Sequence, residues 1–185
     1  FGIGFYGGFI QAGVGFPLLA GLVLGMGFGL VRGNAAKVFL LLCYAPLVLL
    51  LFARAAQVDW AAGFVLGAGS MIGGISRYGM TLATRDLAPF SLPWGTLFSN
   101  LLGCLLIGII AGLGARSELL STEARLLLAT GFCGGFTTMS SFVYELCQYV
   151  QDKEYFFASG YVAATLAGAA LAFVLGLLIS TLLVR

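Results

Sequence analysis

Long apolar runs separated by short polar breaks organise this chain. Between charged or proline-containing interruptions the pattern predicts membrane-length segments over residues 37–53, 60–82, 94–114, 126–150 and 155–184. The breaks between them read RGNAAK, TRDLAPFSLP, ARSELLSTEAR and QDKE. Residues 1–31 are too long for one simple helix, and GFYGGF and Pro17 interrupt them, which predicts a broken or re-entrant pair. A spanning helix needs roughly 20 predominantly apolar residues. The runs are continuous, whereas barrel strands alternate apolar with polar over about 10 residues. The expected fold is all-α, a polytopic helical membrane protein.

Composition supports that class. Hydrophobic residues make up 61% of the chain and charged residues 9%, with mean hydropathy +1.07. So few charges cannot screen that much apolar surface in water. A net charge of +2 is too small to suggest nucleic acid. The absence of histidine excludes a His-containing zinc site and a His-based catalytic dyad. Cys43, Cys104, Cys133 and Cys147 stand singly in apolar text and read as small buried hydrophobes. No GxxxxGK[ST] phosphate loop and no nucleophile–base pair occur, so passive transport is expected rather than an enzyme. The chain opens on Phe1 rather than Met and is read as a fragment or processed product, not as opening on a targeting peptide.

Charge also bears on insertion. From Trp60 onward Arg77, Arg85 and Lys153 fall on one side, and Arg116, Arg125 and Arg185 on the other. Three cations against three give no reason to insert one way. Small residues recur four apart at Gly63 and Gly67, Gly69 and Gly73, and Gly108 and Gly112, a spacing that lets helix backbones approach closely in lipid.

Polar groups at membrane depth are expensive and face a partner helix or a water-filled path. Three clusters occur here. Thr96 and Asn100 share a helix face, as do Tyr161 and Thr165. Between them lies GFCGGFTTMSSFVYE, residues 131–145, with Thr137, Thr138, Ser140, Ser141 and Glu145. Its glycines at 131, 134 and 135, beside paired threonines, predict a weakened helix at mid-segment. Broken backbone is tolerated at that depth only where it is buried in protein or lines a cavity, and freed carbonyls there can hold a cation. Two readings of the hydroxyls stand side by side. They bond carbonyls of their own helices, or they line a path that offers an anion uncharged donors. Three clusters on three spans favour the path. Glu145 would repel an anion unless it is protonated, paired elsewhere or placed at the mouth.

Residues 60–185 resemble the Fluc (CrcB) family of fluoride channels. The resemblance rests on Gly73-Gly-Ile-Ser-Arg77-Tyr78, on WGTL followed by Asn100 and Gly103, on GFCGGFTTMSSFVYE, and on the Gly160–Tyr161 pair. It implies a four-helix channel protomer with a broken third helix, assembled as an antiparallel homodimer of dual topology in the cell (inner or plasma) membrane. It implies fluoride as the permeant ion, with Asn100 as the pore asparagine and Phe142 as the second ring of a phenylalanine box. Thr96, Ser141, Tyr161 and Thr165 would line the path, and Glu145 would be the third-helix glutamate. Gly134 and Thr137 match positions whose backbone carbonyls hold a structural sodium ion. Met139 replaces the first box phenylalanine, so one aromatic edge is missing from the ladder.

Residues 1–74 are similar to part of the TauE/SafE-type sulfite exporters, through GFYGGFIQAGVGFPLLAGLVLGMG, RGNAAK and VDWAAGFVLGAGSMIGG. The expected organisation is therefore a sulfite-exporter-like remnant or fusion over residues 1–59 and a channel-like domain over residues 60–185. The competing functional reading is a sulfite or organosulfonate exporter fragment, or a membrane fragment that transports nothing.

Overall fold

The structure is a computed structural model that describes residues 18–19, 21–85, 92–116 and 120–183. Every regular element among these residues is helical. The chain divides into two compact units, Phe1–Val58 and Asp59–Arg185. Most of the broken or re-entrant pair expected over residues 1–31 lies outside the described residues.

In the first unit a wide π-helical turn, Gly21–Gly25, precedes helix α1, Leu30–Arg54. The turn expected at RGNAAK does not form, because α1 runs straight through it. Ala35, Ala36 and Lys37 are all good helix formers, and Gly33 sits where a side chain would press on Val23. Large apolar side chains such as Phe39, Leu42, Leu47 and Leu51 stand exposed along α1, as a helix surrounded by lipid requires.

The second unit opens on its own start signal. The Asp59 carboxylate accepts a hydrogen bond from the Ala62 amide (3.0 Å) and caps α2, Trp60–Ala83. Helix α3 covers Trp94–Arg116. Ser121 caps α4, which begins as Thr122–Arg125, widens into π-helical turns over Leu126–Cys133 and closes with Gly134–Phe136. Helix α5 is Met139–Gln151 and α6 is Tyr155–Leu183.

Two close pairings build this unit. On α3, Gly108 lies against the Phe173 carbonyl and Gly176 of α6, and Gly112 lies against Ser180. On α2, Gly69 meets the backbone of Leu127, Gly131 and Phe132, while Gly73 meets Phe132 and Phe136. Gly135 returns the contact against Ser70. At each of these glycines a Cβ would overlap backbone or a neighbouring side chain, so the small residues set the helix separation. Of the pairs expected from spacing, Gly63 and Gly67 alone meet open space.

Four helical stretches among the described residues are long and apolar enough to cross a membrane: Val31–Arg54, Trp94–Ala115, Thr122–Gln151 and Tyr155–Leu183. The expected segment at 60–82 also forms a helix, 24 residues long, with glycines in place of larger apolar side chains.

Candidate ion path at the broken third span

The third span breaks, one step later than its glycines suggest. Residues 131–136 stay helical. The interruption falls on Thr137 (φ −81°, ψ 156°) and Thr138 (φ −152°, ψ 113°), both extended. Gly131 and Gly135 instead provide the close approach to α2, and the Ser70 hydroxyl donates to the Gly131 carbonyl (3.3 Å).

Two β-branched residues in extended geometry leave backbone groups that a helix would otherwise satisfy. Side chains take them over. The Thr138 amide donates to Oδ1 of Asn100 (2.8 Å), and Nδ2 of Asn100 donates to the Thr138 carbonyl (3.3 Å). One side-chain amide therefore grips both backbone groups of the break residue, as a neighbouring β-strand would. The Thr138 hydroxyl caps α5 by accepting from the Ser141 amide (3.2 Å), and donates to the Ser141 hydroxyl (3.1 Å). Thr137 turns back, its amide and hydroxyl both donating to the Cys133 carbonyl at 2.9 Å.

A second constellation lies two turns along α5. The Glu145 carboxylate accepts from the Thr96 hydroxyl through Oε1 and from the Tyr161 hydroxyl through Oε2, each at 2.6 Å. These two short bonds tie α3, α5 and α6 together. Glu145 is thus hydrogen-bonded to hydroxyls on two other helices. Tyr161 is wholly buried, and its ring lies 5.0 Å from that of Phe142, tilted at 52°. Leu97, Tyr149 and Ala158 complete this core.

The expected site residues thus divide. Thr96, Glu145, Tyr161 and Phe142 come together in one cluster, and Asn100 and Ser141 meet at Thr138. Thr165, one turn beyond Tyr161, is buried and its hydroxyl has no hydrogen-bond partner. Met139 and Phe142 do not project alike. Met139 is 57% exposed while Phe142 is 6% exposed, its ring packed on Tyr161 of α6. Gly134 is exposed and meets open space.

Sequence reasoning passed over two residues. Thr138 was legible only as one hydroxyl among four, yet it is the hub of the break. Ser99 is fully buried with an unpartnered hydroxyl, and lies on the α3 stripe between Gly95 and Gly103, which pack on Thr81 and Thr137. Nothing in the sequence separated it from its apolar neighbours. Among the described residues no three His, Cys, Asp or Glu side chains gather as a metal site.

A broken membrane helix braced by side-chain amides and hydroxyls defines a multi-pass membrane protein with a polar interior. Residues 64–177 match the family described as CrcB-like protein, Camphor Resistance (CrcB), and the chain belongs to that family. Among its relatives is a protein of Prosthecochloris aestuarii named fluoride-specific ion channel FluC. It is 43% identical over 121 residues, covering 65% of this chain and 94% of the relative. Proteins of the same name from Chlorobaculum tepidum and Leptospira interrogans are 50% and 42% identical. They cover 56% and 54% of this chain, and 82% and 79% of their own lengths.

Proposed function

We propose that this protein is a fluoride-selective channel that lets fluoride leave the cytoplasm passively. The observation that carries the reading is the break at Thr137–Thr138, braced by Asn100 and flanked by the Thr96–Glu145–Tyr161 cluster, in a chain of this family. Fluoride gives up its hydration reluctantly, so a path for it must offer hydrogen-bond donors without a fixed cation to trap it. Hydroxyls, side-chain amides and aromatic ring edges meet that demand. Asn100, Ser141 and Thr165 supply the donors and Phe142 a ring edge, while Thr96 and Tyr161 line the path with hydroxyls that donate to Glu145. Glu145 holds two hydroxyls in place and keeps its own charge occupied.

The working assembly in this reading is an antiparallel homodimer. Polar groups facing lipid are costly, yet Gly134 and Ser140 beside the break are exposed in the single chain, as is Met139. A second copy would cover them, and the even cation count lets the two copies insert in opposite senses. A structural sodium ion would sit at the Gly134 and Thr137 carbonyls. The donor set fits it, since a hard cation prefers oxygens and unwound carbonyls serve sodium in membrane helices. Residues 1–59 form a separate sulfite-exporter-like segment that contributes nothing to the path.

Purified protein in liposomes tests the reading. Fluoride efflux should be fast and passive, with chloride and sulfite retained. Asn100→Ala should cut fluoride flux roughly ten- to hundredfold, the effect of losing a hydrogen bond worth about 1.5–3 kcal/mol at the barrier. Sulfite flux in place of fluoride flux would sink the assignment.

A further inference from the structure

The break disposes of its amides selectively. In a continuous helix the Thr138 amide would bond to the carbonyl of Gly134, and the Ser141 amide to that of Thr137. Neither bond forms. Oδ1 of Asn100 takes the Thr138 amide (2.8 Å), and Oγ1 of Thr138 takes the Ser141 amide (3.2 Å). One residue earlier the opposite happens, because the Cys133 carbonyl accepts both the amide and the hydroxyl of Thr137. Two side chains, one on α3 and one in the break itself, thus withdraw the natural donors from two carbonyls three residues apart.

Those carbonyls belong to the residues proposed above to hold sodium, and the inference rests on that part of the reading. A carbonyl relieved of its amide keeps both lone pairs for a cation. We propose that the Asn100 amide and the Thr138 hydroxyl are the positioning groups of the cation site, releasing the Gly134 and Thr137 carbonyls by capturing the amides of Thr138 and Ser141. Neither side chain touches the ion. Asn100 then serves twice: its Oδ1 sets the cation site, and its Nδ2, which carries a second hydrogen beyond the one given to Thr138, faces the path. Ion permeation and cation binding are joined at one side chain.

The two roles separate by substitution. Asn100→Asp keeps an acceptor for the Thr138 amide but loses the donor to the Thr138 carbonyl and adds charge to the path. Asn100→Ala removes both functions. At the second position, Thr138→Val deletes the captor of the Ser141 amide and Thr138→Ser restores it. The measurement is the melting temperature of the full chain in detergent as sodium chloride replaces N-methylglucamine chloride at constant ionic strength. Wild type should be stabilised by sodium with a defined midpoint. Asn100→Ala and Thr138→Val should raise that midpoint by about tenfold, the effect of one lost hydrogen bond, while Thr138→Ser keeps the wild-type value. Fluoride efflux, measured in parallel, should fall in Asn100→Asp even though its carboxylate still accepts from the Thr138 amide. If Asn100→Ala yields no folded protein, the Thr138 pair decides alone. Wild-type midpoints in Asn100→Ala or Thr138→Val, or a wild type indifferent to sodium, overturn the inference. The predicted midpoint shifts in a chain that moves no fluoride would support it while overturning the channel reading.

Discussion

The two halves of the third membrane span are held by different means. Before the break, α4 meets α2 backbone to backbone, through Gly69, Gly73, Gly131 and Gly135. After it, α5 is held through side chains, with Glu145 bridging to Thr96 on α3 and Tyr161 on α6, and Phe142 lying on Tyr161. The first half tolerates no added volume and carries little polar chemistry. The second half carries the chemistry and has side chains that can be exchanged singly. A span that must be both anchored and permeable assigns these duties to separate stretches, and the Thr137–Thr138 break is the boundary between them.

The sharpest way to break this comparison is to add volume to the first half. Gly73→Val should abolish folded protein, because its Cβ would overlap the Phe132 carbonyl and backbone cannot yield. Overpacking costs typically 1–3 kcal/mol even where side chains can adjust. Gly67→Val, on the same helix with open space around it, should give a normal elution profile in size-exclusion chromatography. Equal yields of the two variants would refute the account of α2.

In the second half the expected effects are on flux rather than folding. Tyr161→Phe removes one hydroxyl from Glu145 and should slow fluoride efflux about tenfold, on the scale of a hydrogen bond to a charged group, while the protein still elutes as wild type. Unchanged efflux would take the Glu145 cluster out of the path. A smaller change is expected from Met139→Phe, which restores an aromatic edge beside the break and should speed efflux a fewfold. Phe142→Ile should slow it more, since Phe142 is the ring that packs on Tyr161. Slower or equal efflux in Met139→Phe would show that an exposed ring at this position gives the ion nothing.

The smallest effect should come from removing the first unit. A chain beginning with Met followed by Asp59, which keeps the cap on Ala62, should move fluoride at the wild-type rate. Loss of flux with intact assembly would make the first unit part of the mechanism. Dual topology can be examined on the same protein. Cysteines placed at Arg116 and Lys153 should each label from both sides of the membrane, and one-sided labelling would refute it.

What could be read in sequence follows from which physical signals are local. Apolar run length is local, so the helices from Trp60 onward lay close to their expected bounds. The polar letters of RGNAAK misled because alanine and lysine favour helix more strongly than one Gly–Asn pair opposes it. The break was legible in kind but displaced in position. Its glycines suggested flexibility, whereas the partner helix α2 holds them helical, and the β-branched Thr137 and Thr138 take the extended geometry. Asn100 and Thr96 were legible as polar residues on an apolar helix. Their partners were not, since the separations of 38 residues from Asn100 to Thr138 and 49 from Thr96 to Glu145 are closed by tertiary packing. Phe142 and Met139 shared a spacing but not an environment, because spacing says nothing about where the helix begins after a break.

The α2–α4 contact also sets a timetable for biogenesis. Ser70 and Gly131 are 61 residues apart in the chain, and α2 meets its glycine-matched partner only once that length has been made. At translation rates of 5–20 residues per second, α2 waits roughly 3–12 seconds in the bilayer with its small-residue face uncovered. During that interval any neighbouring helix with a small-residue stripe competes for the face. Slow codons between α3 and α4 should therefore lower the yield of assembled protein without altering a single residue of it.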